Sequence, residues 1–423
     1  IDLKRTNRVE PLFWEFPNKK SFPEWVTKTF SQYRLDGKKV VFSDTYKPFK
    51  YQKFLRDYMQ ESSPYRGILL FHGLGSGKTC TAIEIAENLK NERNIIVILP
   101  ASLRNNFINQ GLLYCGSPDY PKNPQYYKDK YSFVSYNANN TPTQLRSLGS
   151  LDNKVIIIEE AHNFISKLKS GVEGRSKHGK EIYDMLMNAR NLKIIALTGT
   201  PIINDAFELA ILFNVLRGNI EVTYFRILDI DDSYGNKIDL ERLEEDLLNI
   251  DYVDYININN INHSIEFHIS VNSWDERYQE VISKIESTCR LYNMTVRYLN
   301  RMDYSLFPVD KDGEEFYNNF IQESERYGDR LKNTDIFKRR ILGLVSYYTA
   351  QQEDYPTAIE RDTFRIKMSD HQEDLYLKIR EKEKTTEKSS ARSSKSKKKG
   401  STSVQSMFRV YSRQCCNFSF PDK

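Results

Sequence analysis

The chain has 423 residues, 39% of them hydrophobic and 28% charged, with 62 basic against 57 acidic side chains and a formal net charge of +5. This composition excludes a disordered chain, and the length asks for two or three folded units. No apolar run approaches the roughly eighteen residues a membrane-spanning helix needs, and so weak a basic bias does not by itself argue for nucleic acid.

Residues 1–45 form an N-terminal extension in which Trp14, Phe22 and Trp25 are able to pin the segment to a neighbouring domain. Tyr51, Phe54, Leu55 and Tyr58 recur at helical spacing and predict an amphipathic helix over 48–59. Strand and helix then alternate. Strands are expected at 67–71, 94–99, 131–136, 155–158 and 192–197, and helices at 78–89, 179–189 and 204–216. Strands apolar on both faces, separated by helices, predict an α/β unit with a mostly parallel sheet over 46–225. Residues 226–350 read as a mainly helical accessory insertion, with a strand at 264–271 and its most apolar run at 341–348. Residues 351–423 read as a linker and the start of a second lobe, with strands at 363–368 and 408–410. These flank a Lys/Ser-rich mobile loop at 381–403. The five cysteines, at 80, 115, 289, 415 and 416, match neither a zinc site nor a disulfide framework, so a reducing compartment is expected. The chain starts at Ile1 without Met, and both ends read as cuts in a longer product.

The strongest motif is Phe71-His72-Gly73-Leu74-Gly75-Ser76-Gly77-Lys78-Thr79, between a strand and a helix. Gly75 and Gly77 let the backbone turn so that its N–H groups, with that of Ser76, face phosphate oxygens. Lys78 is expected to reach the β- and γ-phosphates of ATP, and Thr79 to offer its hydroxyl to Mg2+. His72 stands where the general phosphate-loop pattern has glycine.

Glu159-Glu160-Ala161-His162 closes the strand at 155–158. In that place Glu159 is able to hold Mg2+, Glu160 to orient or deprotonate water, and His162 to sense the γ-phosphate. Thr198-Gly199-Thr200-Pro201 follows the next strand, and the hydroxyls of Thr198 and Thr200 are placed to couple nucleotide state to lobe movement.

This ordered set resembles the first RecA-like lobe of superfamily 2 helicases, on the SNF2-like branch. Together with Gly343-Leu344-Val345-Ser346-Tyr347-Tyr348 and Tyr411-Ser412-Arg413-Gln414, it is similar to the transcription-associated helicases of large DNA viruses. The resemblance implies a RecA-like P-loop lobe with ATP and Mg2+ as cofactors. It implies catalytic roles for Glu160 and Lys78, adenine recognition by Gln52, and backbone contacts to nucleic acid near Ser102 and Arg104. Double-stranded DNA, viral RNA polymerase or other transcription factors are the implied partners. No membrane role is implied, and the virion and host cytoplasm are the implied location. One departure is Glu159, where the family usually has Asp. A second RecA-like lobe carrying an arginine finger is expected beyond residue 423, so slow hydrolysis is expected of the chain by itself. Two other readings stay open: a P-loop ATPase or kinase acting on a small substrate, and an initiation-complex subunit that uses ATP only as a switch.

Overall fold

The computed structural model describes residues 8–17, 19–35, 46–202, 205–230, 239–259, 263–269, 276–322, 330–349, 366–394 and 410–418. It divides into two units, residues 1–354 and 355–423.

The first unit begins with helix α1 (Phe22–Thr29), followed by α2 (Lys50–Tyr58), strand β1 (Gly67–His72) and α3 (Lys78–Leu89). Next come β2 (Ile95–Leu99), β3 (Tyr131–Ser135), α4 (Thr141–Ser147), β4 (Val155–Ile158), α5 (Ala161–Val172) and α6 (Lys177–Asn188). Then follow β5 (Lys193–Leu197) and α7 (Phe207–Arg217). Residues 220–304 contribute β6 (Ile220–Ile230), α8 (Leu240–Leu248), β7 (Val253–Asn259), β8 (Ser264–Ile269), α9 (Glu276–Leu291) and β9 (Met294–Tyr304). The unit closes with α10 (Glu314–Phe320), a small hairpin of β10 (Ile321–Gln322) and β11 (Arg330–Leu331), α11 (Thr334–Ile341) and β12 (Val345–Tyr348).

The main sheet is six-stranded, in the order β12-β1-β5-β4-β2-β3, and every pairing in it is parallel. Strand side chains alternate between two cores, as a period of two requires. Leu69, Ile96, Ile156 and Ile194 face the layer of α5, α6 and α7. Ile68, Val97, Ile157 and Ile195 face the layer of α2 and α3. The RecA-like α/β reading therefore holds. The aromatic N-terminal segment joins the second layer: Trp14, Trp25 and Phe30 pack on one another at tilted and edge-on angles, and Phe30 meets Phe54 and Tyr58 of α2.

The lobe does not end near residue 225. Phe307, Phe316, Phe320 and Phe337 complete the core under α7, and β12 pairs with β1 in the main sheet. Between these pieces sits a second sheet, four-stranded and antiparallel, in the order β7-β8-β6-β9. Its helices α8 and α9 cover one face, and Phe225, Leu243, Phe267 and Ile285 fill the core between them. The accessory region thus keeps the expected helices and adds a sheet.

The second unit consists of α12 (Asp370–Ser394) and α13 (Val410–Asn417). Gln372 donates from Nε2 to the carbonyls of Cys415 and Cys416 at 2.9 and 3.1 Å. Glu383 accepts from the Ser412 backbone N–H at 3.1 Å. The segment 381–394, expected within a mobile loop, is helical. Its Glu and Lys residues favour helix, whereas composition alone records only their solubility. Lys395, Lys397, Lys398 and Lys399 lie outside the described residues. Residues 366–368 are not strand, and Val410 opens a helix rather than ending a strand.

Candidate active site

All six strands of the main sheet run the same way, so their carboxyl ends share one edge. β5 lies between β1 and β4. That order puts the turn at Thr198 between the phosphate loop after β1 and the acidic motif after β4. The segment holding Ser102 and Arg104 follows β2, on the same edge.

The loop itself is built as its glycines dictate. Gly75 and Gly77 have φ of 72° and 73°, a region that side chains with a Cβ disfavour. Gly77 is the N-cap of α3, so the helix N-terminus points its free N–H groups into the loop. Ser76 donates from Oγ to the Gly73 carbonyl at 2.7 Å. Lys78 donates to the carbonyls of His72 and Gly73 at 3.1 and 3.0 Å, and burial lowers its pKa.

His72, standing in place of the usual glycine, is buried, and its Nε2 lies 2.8 Å from Oγ of Ser346 on β12. Burial, aided by the Lys78 charge, pushes its pKa down to about 4. The Gly73 N–H donates to the Tyr348 carbonyl at 2.8 Å, so β12 holds the loop from the sheet edge.

Glu159 is the feature that most asks for a cation. The Thr79 hydroxyl hydrogen-bonds its carboxyl, yet its Oε2 is buried with no hydrogen-bond partner among the described residues. Burial, then the neighbouring Glu160, push its pKa up to about 7. A divalent cation beside Thr79 and Glu159 would supply the missing partner and favour the carboxylate. Mg2+ takes one or two protein oxygens and completes its shell with phosphates and water, and Thr79 and Glu159 would supply such oxygens. The residues fit ATP and Mg2+.

Glu160 caps α5 with φ 49° and ψ 52°, a left-handed conformation uncommon for a glutamate and frequent at functional sites. Its carboxylate is 3.5 Å from Nδ1 of His162. That Nδ1 also lies 2.7 Å from Oγ1 of Thr198, while Asn163 Nδ2 lies 2.9 Å from Nε2. An amide NH2 can only donate, so Nε2 accepts and the ring proton sits on Nδ1, bonded to Thr198. Oγ1 of Thr198 also accepts from the Thr200 backbone N–H at 3.0 Å. Glu160, His162, Thr198 and Thr200 are thus one connected chain. Thr198 is buried in it and Thr200 is exposed.

Gln52, Ser102, Arg104 and Tyr51 complete the surroundings of the loop. Gln52 is 1% exposed, and its amide is fully engaged. Oε1 accepts from the Phe49 N–H at 2.9 Å, and Nε2 lies 3.3 Å from both the Gly77 carbonyl and Thr81 Oγ1. The structure therefore places Gln52 beneath the phosphate loop as a brace. Arg104 sits with its guanidinium 5.1 Å from the Phe133 ring, and Ser102 is exposed in the turn before it. Tyr51, read in the sequence only as part of the helical face at 48–59, stacks on Tyr348 at 4.2 Å and bonds the Ser76 carbonyl. Its place beside Gln52 on α2 was the only available signal.

The structure also joins Cys80, in the first turn of α3, to Cys115 as a disulfide, their Cα atoms 5.4 Å apart. Cysteine spacing gave no sign of this proximity. The pairing arises where a π-helical turn over 107–112 packs on α3, so close that a Cβ on Gly111 would lie 3.0 Å from Thr79.

A family model described as type III restriction enzyme, res subunit, matches residues 45–203. Two similar proteins of Acanthamoeba polyphaga mimivirus are named putative ATP-dependent RNA helicases R350 and R563. The first is 26% identical over all of this chain and 41% of its own length, the second 31% over 47% of this chain and 38% of its own. Termination factor NPH-I homologues of African swine fever virus are 35% identical over 37% of this chain and 23% of their own length. The chain therefore spans about two fifths or less of the curated relatives it matches. A Sulfolobus solfataricus SWI2/SNF2 ATPase core, solved with double-stranded DNA, aligns at 22% identity over 40% of this chain and 34% of its own, with a TM-score of 0.29. In motif order and site geometry the chain resembles the SNF2-like superfamily 2 ATPases/helicases, and over 37% of its length it is similar to the viral termination factor NPH-I homologues.

Proposed function

We propose that the chain is the ATP-binding portion of a DNA-dependent ATPase that moves along double-stranded DNA during viral transcription, in the virion and the host cytoplasm. The observation that carries this reading is the pairing of Thr79 with a buried, under-bonded Glu159, next to Glu160, on the edge that also holds Lys78.

In this reading Lys78 and the loop N–H groups bind the triphosphate, and Thr79 and Glu159 hold Mg2+. The bound ion would neutralise charge building on the phosphates. Glu160 takes the proton of the attacking water, and its αL backbone aims the carboxylate off the end of β4. His162 and Thr198 pass the position of Glu160 to the turn at Thr200. Ser102 and Arg104 touch the nucleic-acid backbone, with viral RNA polymerase or another transcription factor as a further partner.

Because the chain spans under half of the relatives' length, it is proposed to hydrolyse ATP slowly by itself and faster in the longer protein. ATPase assays with and without duplex DNA test this. Duplex-stimulated turnover that Glu160→Gln abolishes, with ATP still bound, is the expected result. One observation favours a second reading, an ATP-responsive subunit without turnover: Glu159 holds its proton up to about pH 7. ATP binding with no hydrolysis in the longer protein would establish that reading.

A further inference from the structure

We infer that the open face of the 220–304 sheet is a binding surface for single-stranded nucleic acid, separate from the ATP site. The order β6-α8-β7-β8-α9-β9, with strand order β7-β8-β6-β9, is the β-α-β-β-α-β ferredoxin-like arrangement. Both helices cover one face, which leaves the other to solvent. Topology alone assigns no ligand. The side chains of the open face do.

Arg226 on β6 and Arg297 on β9 are direct cross-strand partners. Both are exposed, and among the described residues neither has a carboxylate within ion-pair distance. Like charges directly opposite on a sheet destabilise it. An anion lying between them would remove that cost, as a nucleic-acid phosphate does when two guanidinium groups share it. On the same face, farther along both strands, the Tyr224 and Tyr304 hydroxyls are 2.6 Å apart, which ties the two rings together at their tips. Met302 and Tyr304 are 48% and 41% exposed there. Rings on a four-stranded sheet, flanked by arginines, are what unstacked bases and their backbone require. Glu266 is the acidic residue of this face on β8, and it is tied to Asn257 at 3.2 Å. A stacked duplex offers no base faces to Tyr224 and Tyr304, so single strands are the favoured class.

The test is fluorescence anisotropy on the whole chain with labelled oligouridylate, oligothymidylate and a mixed-sequence duplex. Arg226→Glu and Tyr224→Ala should each weaken single-strand binding about tenfold, with duplex binding and ATP turnover unchanged. Arg226→Glu also turns the Arg226–Arg297 repulsion into an opposite-charge pair, so its melting temperature should hold or rise, separating lost binding from lost folding. It should flatten the salt dependence of binding, which Tyr224→Ala should leave steep. Tighter binding of oligouridylate identifies RNA as the ligand, and tighter binding of oligothymidylate identifies displaced DNA. No single-strand binding by the wild type, or binding unchanged in folded Arg226→Glu and Tyr224→Ala, overturns the inference.

Discussion

Nδ1 of His162 lies 2.7 Å from Oγ1 of Thr198, so the first turn of α5 and the turn after β5 are joined by one hydrogen bond. The same hydroxyl accepts the Thr200 N–H. Thr198→Val keeps the shape and removes both bonds, leaving the half-buried His162 ring N–H with only the Glu160 carboxylate 3.5 Å away and the Thr200 backbone N–H without its acceptor. The expected cost is about 1–3 kcal/mol in stability, seen as a lower urea midpoint. ATP affinity should be nearly unchanged, and any acceleration of hydrolysis by DNA should be lost. Equal stimulation in wild type and variant would show that this bond couples nothing.

Glu160→Gln tests the carboxylate without changing its size. Loss of a general base typically costs about 10²–10⁴ in rate. Single-turnover hydrolysis should fall by that factor, with ATP binding by fluorescence titration within about twofold of wild type. A drop in binding equal to the drop in rate would instead make Glu160 a ligand.

Glu159 gives a pH dependence with a definite sign. Its folded pKa is raised to about 7 by burial and by Glu160, above an unfolded value of roughly 4.3. Between these two values the unfolded chain releases a proton that the folded chain keeps. This group therefore lowers stability as pH rises from the unfolded to the folded pKa, and adds nothing further above it. Mg2+ needs the ionised form, so Mg2+-ATP affinity should rise across the same window. Glu159→Gln should flatten both profiles and weaken Mg2+ dependence, measured by melting and by Mg2+ titration from pH 5 to about 8.

The motifs and strands β1 to β5 were legible because each is local: a short run rich in apolar residues closed by glycine, proline, acid or a polar residue. β12 was not, since its partner β1 is far away in the chain and only the register Leu69↔Val345 reveals it. The ferredoxin-like insert hid for a related reason. In β9, a bulge between Tyr298 and Asn300 breaks the alternation, and exposed Leu299 blurs the pattern. The brace role of Gln52 and the disulfide at Cys80 depend on packing across α2, α3 and the turn at 107–112, which no spacing encodes.

Gly171 and Gly179 show a further feature without a periodic signature. A Cβ on Gly171 would come within 2.2 Å of the Gly179 carbonyl carbon, and one on Gly179 within 2.3 Å of the Lys167 carbonyl. α5 and α6 therefore touch backbone to backbone, and neither neighbour is a flexible side chain. Either glycine replaced by alanine must push the helices apart, at a cost of about 1–3 kcal/mol or more. A denaturation midpoint within error of wild type would show that the contact is looser than the structure has it.

Gln52 decides between two roles that predict opposite nucleotide selectivity. If its amide reads adenine, Gln52→Ala should weaken ATP far more than GTP, because only the adenine edge loses its partner. The structure spends that amide on Phe49, Gly77 and Thr81. Removing it leaves the Phe49 N–H without its acceptor, takes one of three donors from the Gly77 carbonyl and opens space under the loop, which disturbs the phosphate cradle for any base. The expected result is a similar loss for ATP and GTP, about tenfold for one buried hydrogen-bonding group, with a lower melting temperature. Gln52→Glu should be worse than alanine, since its carboxylate would face the Gly77 carbonyl in a buried site. A loss confined to ATP would return Gln52 to base recognition and require the loop to rearrange when nucleotide binds.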